Sequence, residues 1–163
     1  MVAAAKYVEQ TGLFDWIDIN CGCPVRKVVS RGAGAALLKE LPLMGEIIEK
    51  VKQAVSLPVS VKTRIGFDDP RVFEELLPIF ARHSLDLLTV HARTVKEMYR
   101  SEVHYDFIAR AVAHMPCPVV ANGNVHSAGK AAEAVGFEPF GVERWEGGGH
   151  GFRQMRVVRC GGV

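Results

Sequence analysis

The sequence predicts an α/β fold with parallel strands and helical crossovers. Three observations predict it. Helical and strand patterns alternate along the chain in the order α, β, α, β, α, β, α, β, α, which implies a parallel sheet. The strand segments are β-branched and apolar, as expected of strands covered on both faces. They recur at roughly 30–40 residues, the length of a βα unit. That regularity suits a doubly wound sheet or part of a β/α barrel.

Each element has its local reason. Residues 2–11 read as a helix, and Gly12 is a natural C-terminal stop. "WIDIN" (16–20) is a short strand. "GAGAALLKE" (32–40) suits a short helix and "PLMGEIIEKVKQAVS" (42–56) a longer one. The latter has Pro42 in its first turn and Ile47, Ile48, Val51 and Val55 at helical spacing. "LPVSVKTR" (57–64) is a strand ending at Gly66. Asp69 and Pro70 cap a helix that runs to Arg82, with a kink expected at Pro78. "LDLLTVHAR" (85–93) is a strand, 104–115 a helix and "CPVVANGN" (117–124) a strand. Ser127 caps a last helix to Gly136.

Composition bounds the class. A chain of 163 residues with 48% hydrophobic content can bury one globular core. Its net charge of +2 is too small to diagnose a nucleic-acid partner. No apolar run approaches the ~18 residues of a membrane span. The opening "MVAAAKYVEQTG", with Lys6 and Glu9, reads as a helix and not as a signal peptide. Cys21, Cys23, Cys117 and Cys160 do not make a disulfide framework. Free thiols in the cytoplasm are the expectation, with no membrane partner.

The strands share one feature: each ends in polar or reactive residues. These are Asn20 to Cys23, Lys62 to Arg64, His91 to Arg93 and Asn122 to Asn124. Parallel α/β folds bind ligands at the carboxyl ends of their strands. Four polar ends in succession therefore point to one site in either architecture.

The residue types narrow its chemistry. Zinc sites want paired Cys or His, commonly as C-x₂-C and twice. Here the spacing is C-x-C with no second pair, and no metal site is expected. "GAGAA" (32–36) lacks the G-x-G-x-x-G spacing, so Gly32 and Gly34 are read as close backbone packing at a helix start. A thiol fits better. Cys23 sits between Gly22, which permits a sharp turn, and Pro24, which fixes the exit. Cysteine ordinarily titrates near about 8.5, so a thiol at a strand mouth can donate a proton at neutral pH. Nearby Arg26, Lys27 and Arg31 would favour a thiolate instead. A buried, inert cysteine is the plain alternative. Lys62 can contact an anionic or electron-rich cofactor, and His91 can donate a hydrogen bond to a ring atom. "ANGN" (121–124) offers an amide and a glycine suited to phosphate. This set is what a flavin mononucleotide would ask for. A snorkelling lysine and a core histidine are the plain alternatives.

Four segments carry a family resemblance. "DINCGCPVRKVVSRGAGAALLKE" (18–40), "PVSVKTRIGFDD" (58–69), "LLTVHARTVKEMY" (87–99) and "PVVANGNVHS" (118–127) resemble the tRNA-dihydrouridine synthases. They occur in the family's order, over about residues 12–135. The resemblance implies an eight-stranded barrel carrying FMN, followed by a small helical domain that helps hold tRNA. It implies reduction of a uridine C5–C6 double bond, with NADPH as the electron donor. A flavin hydride goes to C6, and the cysteine of "GCP", here Cys23, gives a proton to C5. Cys21 gets no catalytic role. Lys62 and His91 would contact the isoalloxazine, and Asn122, Gly123 and Asn124 would belong to the phosphate-side loop. Asn20 would sit near the flavin or the uracil. Arg26, Lys27, Arg31, Arg93, Lys96, Tyr99 and Arg100 would lie towards RNA. An ordinary solvated surface is the alternative for that basic set.

The resemblance also sets an expectation about extent. The four strands correspond to the fourth through seventh of the family barrel, so a partial FMN-binding barrel domain is expected over 1–136. The segment 137–163 holds much of the chain's glycine and several arginines, and reads as an atypical, frameshifted or disordered tail. Its one candidate strand is "RQMRVVRC" (153–160). A barrel part with open strand edges would expose apolar surface and self-associate. Two further readings stay open: a non-catalytic fragment, and a different FMN barrel oxidoreductase acting on a small molecule.

Overall fold

Four parallel strands form the frame of the site. They are β1 (Ile17–Cys21), β2 (Val59–Arg64), β3 (Leu87–His91) and β4 (Val119–Asn122), side by side in chain order. The computed structural model describes residues 1–127 and two short strands, β5 (Val142–Glu143) and β6 (Met155–Val157). β6, inside the predicted strand at 153–160, pairs antiparallel with β4, and β5 pairs antiparallel with β6. The all-parallel expectation thus holds for β1–β4. The helix expected after Ser127 and the rest of 137–163 lie outside the described residues.

The crossovers form a single layer. α1 (Val2–Thr11) ends at Gly12, whose left-handed φ of 63° lets its N–H close on the Glu9 carbonyl at 3.1 Å. A short helix, α2 (Arg26–Val29), follows the cysteine turn and was not anticipated, being one turn long. The segment expected as a helix over 32–40 is a 3₁₀ helix at Gly34–Lys39. α3 (Leu41–Ala54) carries Pro42 in its first turn. Asp69 accepts the Arg71 N–H at 2.9 Å and caps a 3₁₀ turn, Pro70–Val72, which leads into α4 (Phe73–Arg82) with Pro78 inside. α5 (Tyr105–His114) completes the layer. α1 packs on α3, α3 on α4, and α4 on α5.

Strand alternation sorts the two faces of the sheet. Ile19, Val59, Val61, Leu88, Val90 and Val119 are buried in one core with Met44, Ile48, Phe73, Leu77, Phe80 and Ile108 from the helical layer. Each such side chain contributes about 1.5–3 kcal/mol by burial. The opposite positions are Asp18, Asn20, Ser60, Lys62, Arg64, Leu87, Thr89, His91, Val120 and Asn122. The expectation of strands apolar on both faces is therefore corrected: one face is mainly polar, with Leu87 and Val120 its apolar members. Consecutive strands in unreversed order, with helices packed in sequence as one layer, are the arrangement of barrel units. A doubly wound sheet reverses its strand order at a switch point.

Candidate functional site

Register builds the site before any loop does. Asn20 pairs with Lys62 and Lys62 with Thr89. One layer higher, Arg64 pairs with His91 and His91 with Asn122. Residues paired in a parallel ladder project to the same face, so these side chains form two adjoining polar rows at the strand ends.

The cysteine turn closes over the first strand. Asn20 Oδ1 accepts the Gly22 N–H at 3.1 Å and the Cys23 N–H at 2.9 Å. The Cys23 carbonyl accepts the Ala35 N–H at 3.0 Å, which ties the turn to the 3₁₀ helix. Gly34, with φ of 59°, lies beneath it: a Cβ there would meet the Cys23 carbonyl oxygen and Val28 Cγ1, each at 2.9 Å. Gly32 is left-handed too, at φ 70°, but has open space around it. The close-packing expectation therefore holds for Gly34 and not for Gly32. Asn20 is exposed, and Cys23 is a half-buried free thiol. Cys21 points to the helical side and is fully buried. Burial, reinforced by Asp18, pushes its thiol up to about 12, so it stays protonated and inert. Among the described residues no group of three or more His, Cys, Asp or Glu could hold a metal ion.

The polar rows have distinctive electrostatics. Burial, followed by the charges of Arg64, Lys62 and Arg93, pushes His91 down to about 3. It is therefore a neutral imidazole at physiological pH. Burial and Arg64 also lower the Lys62 ammonium below its usual range, while Asp18 and Cys23 oppose that shift. Lys62 Nζ lies 3.5 Å from Asn122 Oδ1, a long contact. His91 Nε2 is buried and has no hydrogen-bond partner among the described residues. A buried polar atom left so costs about 1–3 kcal/mol, which makes Nε2 a position where a ligand's hydrogen bond would be favourable. A flavin ring fits: its heteroatoms could pair with His91, and Lys62 and Asn122 flank the same position. Gly123, at φ 123°, makes room, since a Cβ would meet His91 Cδ2 at 3.2 Å.

The loop after β3 roofs the site. Its residues 94–101 are held at several points. Glu97 accepts the Thr94 N–H at 2.6 Å and the Thr94 hydroxyl at 2.9 Å, and pairs with His104 Nε2 at 2.6 Å. Burial would raise the Glu97 carboxyl, but the bonds from His104 and Thr94 outweigh it and hold it down at about 2. Val95 and Lys96 donate their N–H groups to the carbonyls of Gly66 and Phe67. Lys96, Tyr99 and Arg100 are left exposed, although the Tyr99 ring also lies 5.8 Å from the His91 ring. Arg26 and Lys27 are exposed on α2, beside the cysteine turn.

Arg93 is placed differently from its expected RNA-facing position. It is 1% exposed, and its Nε and Nη2 donate to the Ser101 carbonyl at 2.9 and 2.7 Å. Its Nη1 lies 3.4 Å from Oδ1 of Asn124, a residue at φ 50°. The guanidinium thus fastens the loop to the end of β4, and burial is the reason it cannot face outward. Arg64, a member of the polar strand end Lys62 to Arg64 with no role assigned from the sequence, is as deeply buried and bonds two loops. Its signal was present: a second long cation two residues after Lys62 shares its face of the strand.

Helices on one face of a sequential parallel sheet, with polar side chains gathered at the strand ends, make the arrangement of a partial β/α barrel. The chain belongs to the dihydrouridine synthase family: residues 1–136 match the family model described as "Dihydrouridine synthase (Dus)". It is 41% identical over 133 residues to a "Probable tRNA-dihydrouridine synthase" of Rickettsia prowazekii, covering 81% of this chain and 40% of that protein. It is 38% identical over 128 residues to "tRNA-dihydrouridine synthase B" of Pseudomonas aeruginosa, covering 78% and 38%. The chain spans about 40% of the length of the curated relatives it matches. Among the described residues, no helix is long and apolar enough to cross a membrane.

Proposed function

We propose that this chain carries the proton-donating part of an active site that reduces uridine to 5,6-dihydrouridine in tRNA. The relatives' names, the family match and the polar rows support this reading. One observation carries it: the Cys23 turn, fixed by Asn20 and Gly34, stands at the same strand ends as His91 Nε2, which has no hydrogen-bond partner among the described residues.

FMN, reduced by NADPH, supplies the hydride for uracil C6 when bound. Lys62 and His91 hold and orient that ring, and Asn122, Gly123 and Asn124 support its phosphate side. Neutral His91 offers a hydrogen bond without adding charge. Cys23 Sγ holds the proton delivered to C5. Asn20 fixes the turn through its own amide oxygen, leaving its NH₂ group to face the base. A uracil must leave its stack to reach a strand-end site, which costs a few kcal/mol. Exposed Arg26, Lys27, Lys96 and Arg100, with Tyr99 as a stacking surface, offset that cost through phosphate and base contacts. Cytoplasmic tRNA is the partner this chemistry serves.

The test is a chimaera in which residues 12–127 replace the matching segment of the Pseudomonas aeruginosa synthase B. In a strain lacking dihydrouridine, the chimaera is expected to restore it in tRNA, read by nucleoside mass spectrometry. Its Cys23→Ala variant should retain flavin and lose the product. Full dihydrouridine formation by that variant would sink the proton-donor role.

A further inference from the structure

Arg64 is a buried cation whose bonds go to two different loops. It is 2% exposed at the end of β2. Its Nε donates to the Gly22 carbonyl at 3.1 Å, in the peptide that leads into Cys23. Its Nη1 donates to the carbonyls of Thr94 at 3.0 Å and Met98 at 3.2 Å. The Tyr99 ring lies over the guanidinium, 5.5 Å from Cζ to its centre. Met98 has φ of 56°, a conformation that a non-glycine residue keeps only where its surroundings hold it. Gly22 is itself fitted against β2, where a Cβ would meet the Thr63 carbonyl carbon at 3.1 Å.

A buried guanidinium must be hydrogen-bonded to be tolerated. Here Nε bonds a carbonyl of the cysteine turn and Nη1 bonds two carbonyls of the 94–101 loop. The rigid, planar spread of the donors makes both contacts simultaneous. Displacing either loop leaves a buried donor unpaired, so order in one favours order in the other.

We infer that Arg64 is a positioning residue that couples the loop at 94–101 to the Cys23 turn. Lys96, Tyr99 and Arg100 project from that loop, so engagement of the loop from outside steadies the thiol-bearing turn. This deepens the proposed uridine reduction and rests on that reading for its role in it. The coupling itself is a property of the chain and is measured without flavin or tRNA.

The experiment is a double-mutant cycle on the full chain, with Arg64→Lys and Thr94→Val. Arg64→Lys keeps a cation, but one ammonium cannot serve both loops. Thr94→Val removes the hydroxyl that bonds Glu97 and loosens the loop from its far side. Iodoacetamide labelling of Cys23 is followed by peptide mass spectrometry, and amide hydrogen exchange is followed over 94–101. Arg64→Lys should accelerate both by about tenfold, the loss of one buried charge-assisted bond. Thr94→Val should accelerate Cys23 labelling about threefold in the Arg64 chain and cause no further change beside Arg64→Lys. The coupling is overturned if the two effects multiply. It is overturned equally if Arg64→Lys leaves the thiol or the loop unchanged, or if Thr94→Val alone leaves Cys23 labelling unchanged. If Arg64→Lys unfolds the chain, the Thr94→Val arm decides. Failure of the chimaera to make dihydrouridine would leave this cycle intact, so the two readings fail separately.

Discussion

Replacing Gly34 by alanine probes how the Cys23 turn is built. A Cβ at Gly34 would lie 2.9 Å from the Cys23 carbonyl oxygen, 2.9 Å from Val28 Cγ1 and 3.1 Å from Cys23 Cβ. The first of these is backbone and Val28 is β-branched, so neither yields easily. The left-handed φ of 59° adds about 1–2 kcal/mol for any residue with a Cβ. Overpacking adds typically about 1–3 kcal/mol more. Gly34→Ala should therefore cost about 2–5 kcal/mol. Gly32→Ala is the internal control. It shares the left-handed backbone, at φ 70°, but meets nothing within 4 Å, so only the backbone cost of about 1–2 kcal/mol applies. Urea unfolding reads the difference. With a slope of about 2 kcal/mol per molar, the two midpoints should differ by roughly 1 M. The Gly34 variant should also change the rate of Cys23 alkylation, and the Gly32 variant should not. Coinciding midpoints would refute the packing argument, because the two sites differ only in what surrounds the added carbon.

Three further outcomes follow from the electrostatics. His91 sits near about 3 against an ordinary 6.5, so the unfolded chain takes up a proton that the folded chain refuses. Stability should be complete above about pH 6.5 and fall as pH drops towards 3, by at most about 5 kcal/mol. Imidazole NMR showing His91 protonated at pH 5 would contradict this. At pH 8, iodoacetamide should label Cys23 and spare Cys21, whose buried thiol is pushed up to about 12. Equal labelling of the two, read by peptide mass, would remove the distinction between them. Glu97, held at about 2, contributes stability above its ordinary 4.5 that is lost as pH falls through about 2. Glu97→Gln should raise hydrogen exchange over 94–101 about fivefold at neutral pH, and unchanged exchange would show that the loop is held elsewhere.

Much of this was legible along the chain. The strand at 57–64, the Gly12 stop and the Asp69 cap follow from local chemistry, and all appear in the structure. The 3₁₀ form of Gly34–Lys39 was not legible, because it depends on Gly34 packing beneath a turn eleven residues earlier. The inward polar face was hidden by the β-branched residues that alternate with it. Arg93 looked like a surface cation because a burial partner, the Ser101 carbonyl, is supplied by the fold of its own loop.

Sequence alone determined the alternating elements, the polar residues at each strand end and the membership in a family, since periodicity, capping and motif are local properties. Tertiary structure alone decided what those residues face. It sent Cys21 to the helices, placed Cys23 at the mouth, left His91 Nε2 without a partner among the described residues and bound two loops through Arg64. Those outcomes depend on register between strands dozens of residues apart, and no single stretch of chain contains both sides of such a contact.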